Sequence, residues 1–202
     1  MKRDGARYGV LLLGVLLLAS CATRPTTAPA HSWAQPCDSC IAGVANFGRV
    51  SDVLWRGAQP TLEGYRSLEL AGVKTVISLR GDHDDDEDFA KLGGAPLKFK
   101  YLRIPMDSWQ PDEAQVVVLL AVLERLLKDP ERTPVFVHCA AGKDRTGYAL
   151  AAYRMVFDGW SPDDALEEMF DYRFNPWLIR VPPFLQSLDV DRVKALMRLA
   201  PM

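Results

Sequence analysis

The residues best suited to chemistry stand together as His138-Cys139-Ala140-Ala141-Gly142-Lys143-Asp144-Arg145-Thr146-Gly147. A short apolar run over 134–138 reads as a strand that delivers Cys139 to a turn, and a helical pattern resumes at Thr146. Successive N–H groups over 140–145 can curl round the oxygens of a phosphoryl group, and a helix N-terminus adds partial positive charge. Gly142 permits the backbone conformation that such a curl needs. Arg145 can clamp two phosphoryl oxygens with its planar fork, a geometry lysine lacks. Cations and helix N-termini favour a cysteine's thiolate, so Cys139 is expected to attack phosphorus directly. Thr146 is placed to donate a hydrogen bond to the sulfur as it departs. With an ionised nucleophile, His138 is expected to orient and hydrogen-bond the loop rather than act as a base. The phosphate-binding set is therefore His138, Ala140, Ala141, Gly142, Lys143, Asp144 and Thr146, with Cys139 and Arg145 catalytic.

These residues carry a resemblance. Cys139, five residues, then Arg145-Thr146, flanked by His138 and Gly147, resembles the C-x5-R-S/T signature of the protein tyrosine phosphatase superfamily. Asn46-Phe47, then Leu54-Trp55-Arg56-Gly57-Ala58-Gln59-Pro60, then Gly72-Val73-Lys74-Thr75-Val76-Ile77-Ser78-Leu79-Arg80, are similar to the N-terminal half of compact bacterial dual-specificity-like phosphatases, a group that includes exported enzymes. The similarity spans residues 46–190. It implies an α/β cysteine-phosphatase fold, with a central, mostly parallel sheet flanked by helices. It also implies a phosphomonoester hydrolase working through a phosphocysteine intermediate, with no cofactor and no metal, and makes Arg56 and Gln59 structural pins.

The family's mechanism requires an acid for the leaving oxygen, on a separate loop. Asp107, just past a strand in Ile104-Pro105-Met106-Asp107-Ser108-Trp109, is similarly placed to the acid of compact dual-specificity phosphatases and is the preferred candidate. Asp112, after Pro111, reads more economically as a helix cap. Asp144 precedes Arg145 as in myotubularin-like lipid phosphatases. Lys143 resembles the lysine of phosphatases acting on phosphoinositides or inositol phosphates; alternatively it is a surface lysine paired with Asp144 or Glu113. The expected substrate is thus a phosphorylated protein, or a phosphoinositide or inositol phosphate. A non-hydrolysing phospho-ligand binding module is the weaker alternative, because nucleophile, arginine and candidate acids are all present. Trp109, Phe174 and Trp177 are candidates for the rim of the site, although core is the default for residues 172–177.

The elements that must position this loop alternate along the chain. A short strand over 53–56 precedes a turn at Gly57, and Thr61 caps a helix over 62–71 that stops at Gly72. Strands are expected over 73–79 and 97–104. Asp112 opens a helix to Leu127, whose Val116, Leu119, Leu120, Leu123 and Leu127 recur at helical spacing. Helices follow over 146–157, stopped by Gly159, then over 161–173, and as one amphipathic segment over 183–199. Strands alternating with helices indicate an α/β domain. The acidic run 82–88 lacks the glycine and terminal glutamate of a calcium loop; it reads as a solvated loop leading into a helix, whose N-terminus favours acids.

The 202 residues are 49% hydrophobic and 25% charged, with a net charge of −2. That is enough for one domain with a core, and it carries no basic excess to suggest a nucleic-acid partner. Lys2, Arg3 and Arg7 precede an apolar run over 10–19. The run is shorter than the about 20 residues a bilayer span needs and fits a secretory leader. Leu18-Ala19-Ser20-Cys21 resembles the lipobox of bacterial lipoproteins, which implies lipidation of Cys21 and an exported, membrane-anchored protein on the periplasmic or cell-surface side. The expected organisation is a leader over 1–20, a Pro-, Thr- and Ala-rich flexible tether over 21–45, and a monomeric phosphatase domain over 46–202. Cys37 and Cys40 form an isolated C-x-x-C pair, expected after export as a local disulfide or two thiols.

Overall fold

In a computed structural model, which describes residues 33–200, the strands form one sheet in the order β1-β2-β5-β3-β4. Strand β1 (Gly48–Arg49) lies antiparallel to β2 (Leu54–Ala58). The pairings β2 with β5 (Val135–Cys139), β5 with β3 (Thr75–Ser78), and β3 with β4 (Lys100–Arg103) are all parallel. Cys139 thus ends the central strand, at the carboxyl edge where open α/β sheets place their ligands.

The connecting helices are α1 (Leu62–Leu70), α2 (Asp86–Phe89), α3 (Glu113–Leu126), α4 (Arg145–Phe157), α5 (Pro162–Asp171), α6 (Val181–Gln186) and α7 (Val190–Leu199). Their starts follow local chemistry. Thr61, Asp112, Ser161 and Asp189 each accept a backbone N–H with the side chain. The sheet separates two apolar layers. One is built from α3, α4, α5 and α7 against Leu54, Ile77, Val135, Val137 and Cys139; the other packs Tyr65, Leu68, Phe99 and Phe136. Successive β5 side chains alternate between these layers, as the pleat requires.

Three sequence expectations are corrected. Gly57 lies inside β2, not at a turn after it; a Cβ there would press on Val44 and Phe136. The single helix expected over 183–199 is two, because Asp189 caps a new start at Val190. The tether expected over 21–45 is not tether over residues 33–45. Trp33 packs 5.6 Å from Trp160, Tyr172 Oη donates to Ala34 O, and Cys37 pairs with Phe47. Cys37 and Cys40 are joined as a disulfide. The leader, Cys21 and the rest of the tether lie outside the described residues. Among those described, no helix is long and apolar enough to cross a membrane.

Candidate active site

Cys139 is buried and is the free cysteine of the described residues. Beyond it the chain turns through residues 140–144 into α4. The amides of residues 140–144 donate to no other group among the described residues. Asp144 occupies the N-cap position of α4 but does not cap it; its Oδ1 accepts from Asn175 N at 2.9 Å. The first amides of the helix are therefore left for an outside acceptor, as an anion site requires. Gly142 has φ +67°, and a Cβ there would collide with the backbone of Gly57 and Ala58. Only glycine fits that turn.

The carbonyls of the loop are held from behind. Arg56 Nη2 and Asn46 Nδ2 both donate to Gly142 O at 3.1 Å, and Gln59 N donates to Ala140 O at 3.2 Å. Arg56 is fully buried, its guanidinium 3.7 Å from the centre of the Tyr172 ring. Burial pulls its pKa below the ordinary arginine value. Arg56 and Gln59 thus pin the loop, with Asn46 as a third pin whose role the sequence did not disclose.

On the other side, Arg145 Nη1 meets Asp82 Oδ1 at 2.8 Å, and Asp82 Oδ2 meets Arg80 Nη2 at 2.6 Å. Hydrogen bonds from Arg80, then Arg145, hold the Asp82 carboxyl well below the usual range. His138 points away from Cys139, into the opposite layer, because neighbouring strand residues face opposite ways. Its Nε2 lies 2.9 Å from Asp85 Oδ2, and both side chains are fully buried. Tyr65 Oη donates to the same carboxylate at 2.7 Å. Burial raises the Asp85 pKa, but His138 and Tyr65 outweigh it and the net shift is downward. The acidic run is therefore no plain solvated loop: Asp82 and Asp85 reach back to the phosphate loop. His138 faces Asp85 instead of bonding the loop, and neither of its ring nitrogens makes a hydrogen bond. Thr146 Oγ1 is buried without a hydrogen-bond partner, and none runs from it to the sulfur.

The three acid candidates occupy different settings. Asp144 is committed to Asn175. Asp112 Oδ1 accepts from Ala114 N at 2.9 Å, and Asp107 Oδ1 accepts from Trp109 N at 2.7 Å and Gln110 N at 3.0 Å. Tyr148 Oη donates to Asp107 O at 2.8 Å and so ties α4 to this loop. Burial, and then the charge of Asp107, raise the Tyr148 pKa, with Asp112, Cys139 and Arg145 also within its electrostatic reach. Lys143 makes no ion pair with Asp144 or Glu113; Glu113 instead meets Arg192 at 3.1 Å. Trp109 and Trp177 are 65% and 80% exposed, and flank a groove of about 370 Å³ with Ile179 and Arg180, whereas Phe174 is core.

Among families, the one described as DSP-PTPase phosphatase fused to NAD+ kinase matches residues 40–180. The chain belongs to the dual-specificity-like cysteine phosphatases. The dual specificity protein phosphatase TpbA of Pseudomonas aeruginosa is 39% identical over 164 residues, 81% of this chain and 68% of that protein. The crystal structure of P. aeruginosa TpbA superposes with a TM-score of 0.67 at 32% identity, covering 85% of this chain and 99% of that one. The inositol diphosphatase DSP5 of Arabidopsis thaliana is 28% identical over 149 residues, 74% of this chain and 72% of that protein. The chain is a cysteine-dependent phosphatase of this family, and it carries Cys139 and Arg145 at the spacing of the C-x5-R signature.

Proposed function

We propose that this phosphatase hydrolyses phosphotyrosine on proteins, as an exported enzyme anchored by lipid at Cys21. The observation that carries the chemistry is the set of amides at 140–144, left without partners beside Cys139 and Arg145. The Cys139 sulfur attacks phosphorus, and the phosphorus–oxygen bond to the substrate breaks as a carboxylic acid gives its proton to the leaving oxygen. The loop amides and Arg145 hold the phosphoryl oxygens while charge builds on them. Water then attacks the phosphocysteine, giving its proton to the same carboxylate and releasing phosphate and the thiolate. The acid is assigned to Asp107, on the loop whose Asp107 carbonyl accepts from Tyr148 of α4, with Asp112 and Asp144 as the alternatives.

Support for phosphotyrosine comes from TpbA, whose structure in complex with pTyr superposes with a TM-score of 0.68 at 31% identity, covering 86% of this chain and all of that one. The exposed Trp109 and Trp177 offer apolar faces to an aromatic substrate. A second reading, an inositol phosphate or phosphoinositide, is favoured by Lys143, which sits in the loop without an ion pair among the described residues. Phosphate release from phosphotyrosine peptides, inositol phosphates and phosphoinositides compares the two. Greater kcat/KM on the peptides is expected, and preference for the inositol compounds would transfer the assignment. Asp107→Asn and Asp112→Asn, assayed on the same peptides, identify the acid as the one whose loss lowers kcat by about 10²-fold or more. Cys139→Ser should abolish turnover yet keep phosphate binding; appreciable turnover would exclude the phosphocysteine route. For the anchor, labelled fatty acid should enter the full chain but not its Cys21→Ser variant.

A further inference from the structure

The C-x-x-C pair has no part in the reaction above, yet it is connected to the loop by a short path. The Cys37–Cys40 disulfide closes a turn that carries Asp38. Cys37 N donates to Phe47 O at 2.8 Å and Phe47 N to Cys37 O at 2.9 Å, so the turn is fastened to the segment beside Asn46. Asp38 Oδ1 accepts from Asn46 N at 2.9 Å, and Arg173 holds both oxygens of Asp38, at 3.1 and 2.8 Å. Asn46 is almost fully buried, with φ +51°, a region a side chain enters at a cost that asparagine bears better than most. From there its Nδ2 reaches Gly142 O at 3.1 Å, Ala141 O at 3.4 Å and Tyr172 O at 3.2 Å.

Two of those acceptors belong to the phosphate loop, and the planar peptide bond turns this into control over its donors. In a trans peptide the C=O of one residue and the N–H of the next point in opposite directions. Holding Ala141 O from behind fixes the N–H of Gly142, and holding Gly142 O fixes that of Lys143. An outward carbonyl thus means an inward amide. A peptide flip at either place would present an oxygen to the phosphoryl group in place of a donor.

We propose that Asn46 is a positioning residue for the phosphate loop, and that the Cys37–Cys40 disulfide, acting through Asp38, keeps Asn46 in the geometry that aims the Gly142 and Lys143 amides inward. The inference rests on the phosphatase reading of the loop, but its test does not rest on turnover. Binding of inorganic phosphate to the full chain is measured by calorimetry in reductant-free buffer, beside hydrolysis of an aryl phosphate. Asn46→Gly removes the side-chain donor while easing the left-handed backbone, so the fold has less reason to fail. It should weaken phosphate binding about tenfold, the scale of a lost hydrogen bond in a buried site, while thermal unfolding stays cooperative. Asp38→Ala and the double variant Cys37→Ser/Cys40→Ser should shift binding in the same direction by about threefold, as losses at the periphery of one network. Wild-type affinity in Asn46→Gly would overturn the positioning role, and wild-type affinity in the double variant would overturn the disulfide's part in it. If wild type binds phosphate but does not hydrolyse the aryl ester, it is the phosphatase reading that fails.

Discussion

On the β2 side, the phosphate loop is gripped by its carbonyls: the buried donors Arg56 and Asn46 meet at Gly142 O, and the amide of Gln59 takes Ala140 O. On the β3 side it is gripped by side chains, with Asp82 on Arg145 and Asp85 opposite His138. The first grip leaves the catalytic groups untouched and aims the amides. The second takes hold of Arg145, the proposed clamp, and Asp82, 56% exposed, occupies a guanidinium nitrogen that a phosphoryl oxygen would need. Loss of a β2 contact should therefore harm phosphate binding, whereas loss of the Asp82 contact should help it.

The largest effect that bears on this comparison is on the group held by the β3 side. Arg145→Lys keeps the charge but loses the fork, and kcat on an aryl phosphate should fall by about 10²–10³-fold; a loss under tenfold would mean that charge alone suffices. Next comes Asp85. Asp85→Ala leaves the Tyr65 hydroxyl buried without its acceptor, removes the carboxylate 2.9 Å from His138 Nε2, and should cost about 1–3 kcal/mol in urea unfolding. Unchanged stability would show that the β3 grip is not structural.

The same carboxylate sets a pH dependence. Its pKa in the folded protein is lowered, so its contribution is complete above the unfolded-state value of about 3.9 and is lost as pH falls through the lower folded value. Unfolding free energy should therefore decline on acidification below about pH 4, and this part of the decline should vanish in Asp85→Asn. The smallest effect separates the two sides by sign. Asp82→Asn should strengthen inhibition by inorganic phosphate about two- to fivefold, the scale of an exposed ion pair. Weaker inhibition would recast Asp82 as an orienting partner of Arg145, making both grips alike.

Much of this site could be read without coordinates, because local rules governed it. A strand that delivers Cys139, a glycine in the turn and a helix from Thr146 follow from residue type and short spacing, and the structure moves the helix start by one residue, to Arg145. The parallel α/β sheet followed from alternation of patterns, and the caps at Thr61 and Asp112 from single side chains next to apolar periodicity. Even the separation of His138 from Cys139 is implicit in the period of a strand.

The partners of the loop were not legible. Asp82 and Asp85 lie 63 and 53 residues before Arg145 and His138 in the chain, and in sequence they are two members of an acidic run with nothing to mark them from their neighbours. What distinguishes them is contact with Arg145 and His138, and that contact depends on how β3 and β5 pair. The same holds for Asn46, 96 residues from Gly142, and for residues 33–45, which read as the end of a Thr-, Ala- and Pro-rich tether until Trp33 packs against Trp160. The sequence by itself determined the candidate reacting groups, since a cysteine, an arginine and a run of amides at the family's spacing are properties of one continuous segment. Only the tertiary structure decided what holds that segment in shape, because the donors and carboxylates that grip it come from distant strands and meet it only when the sheet is assembled.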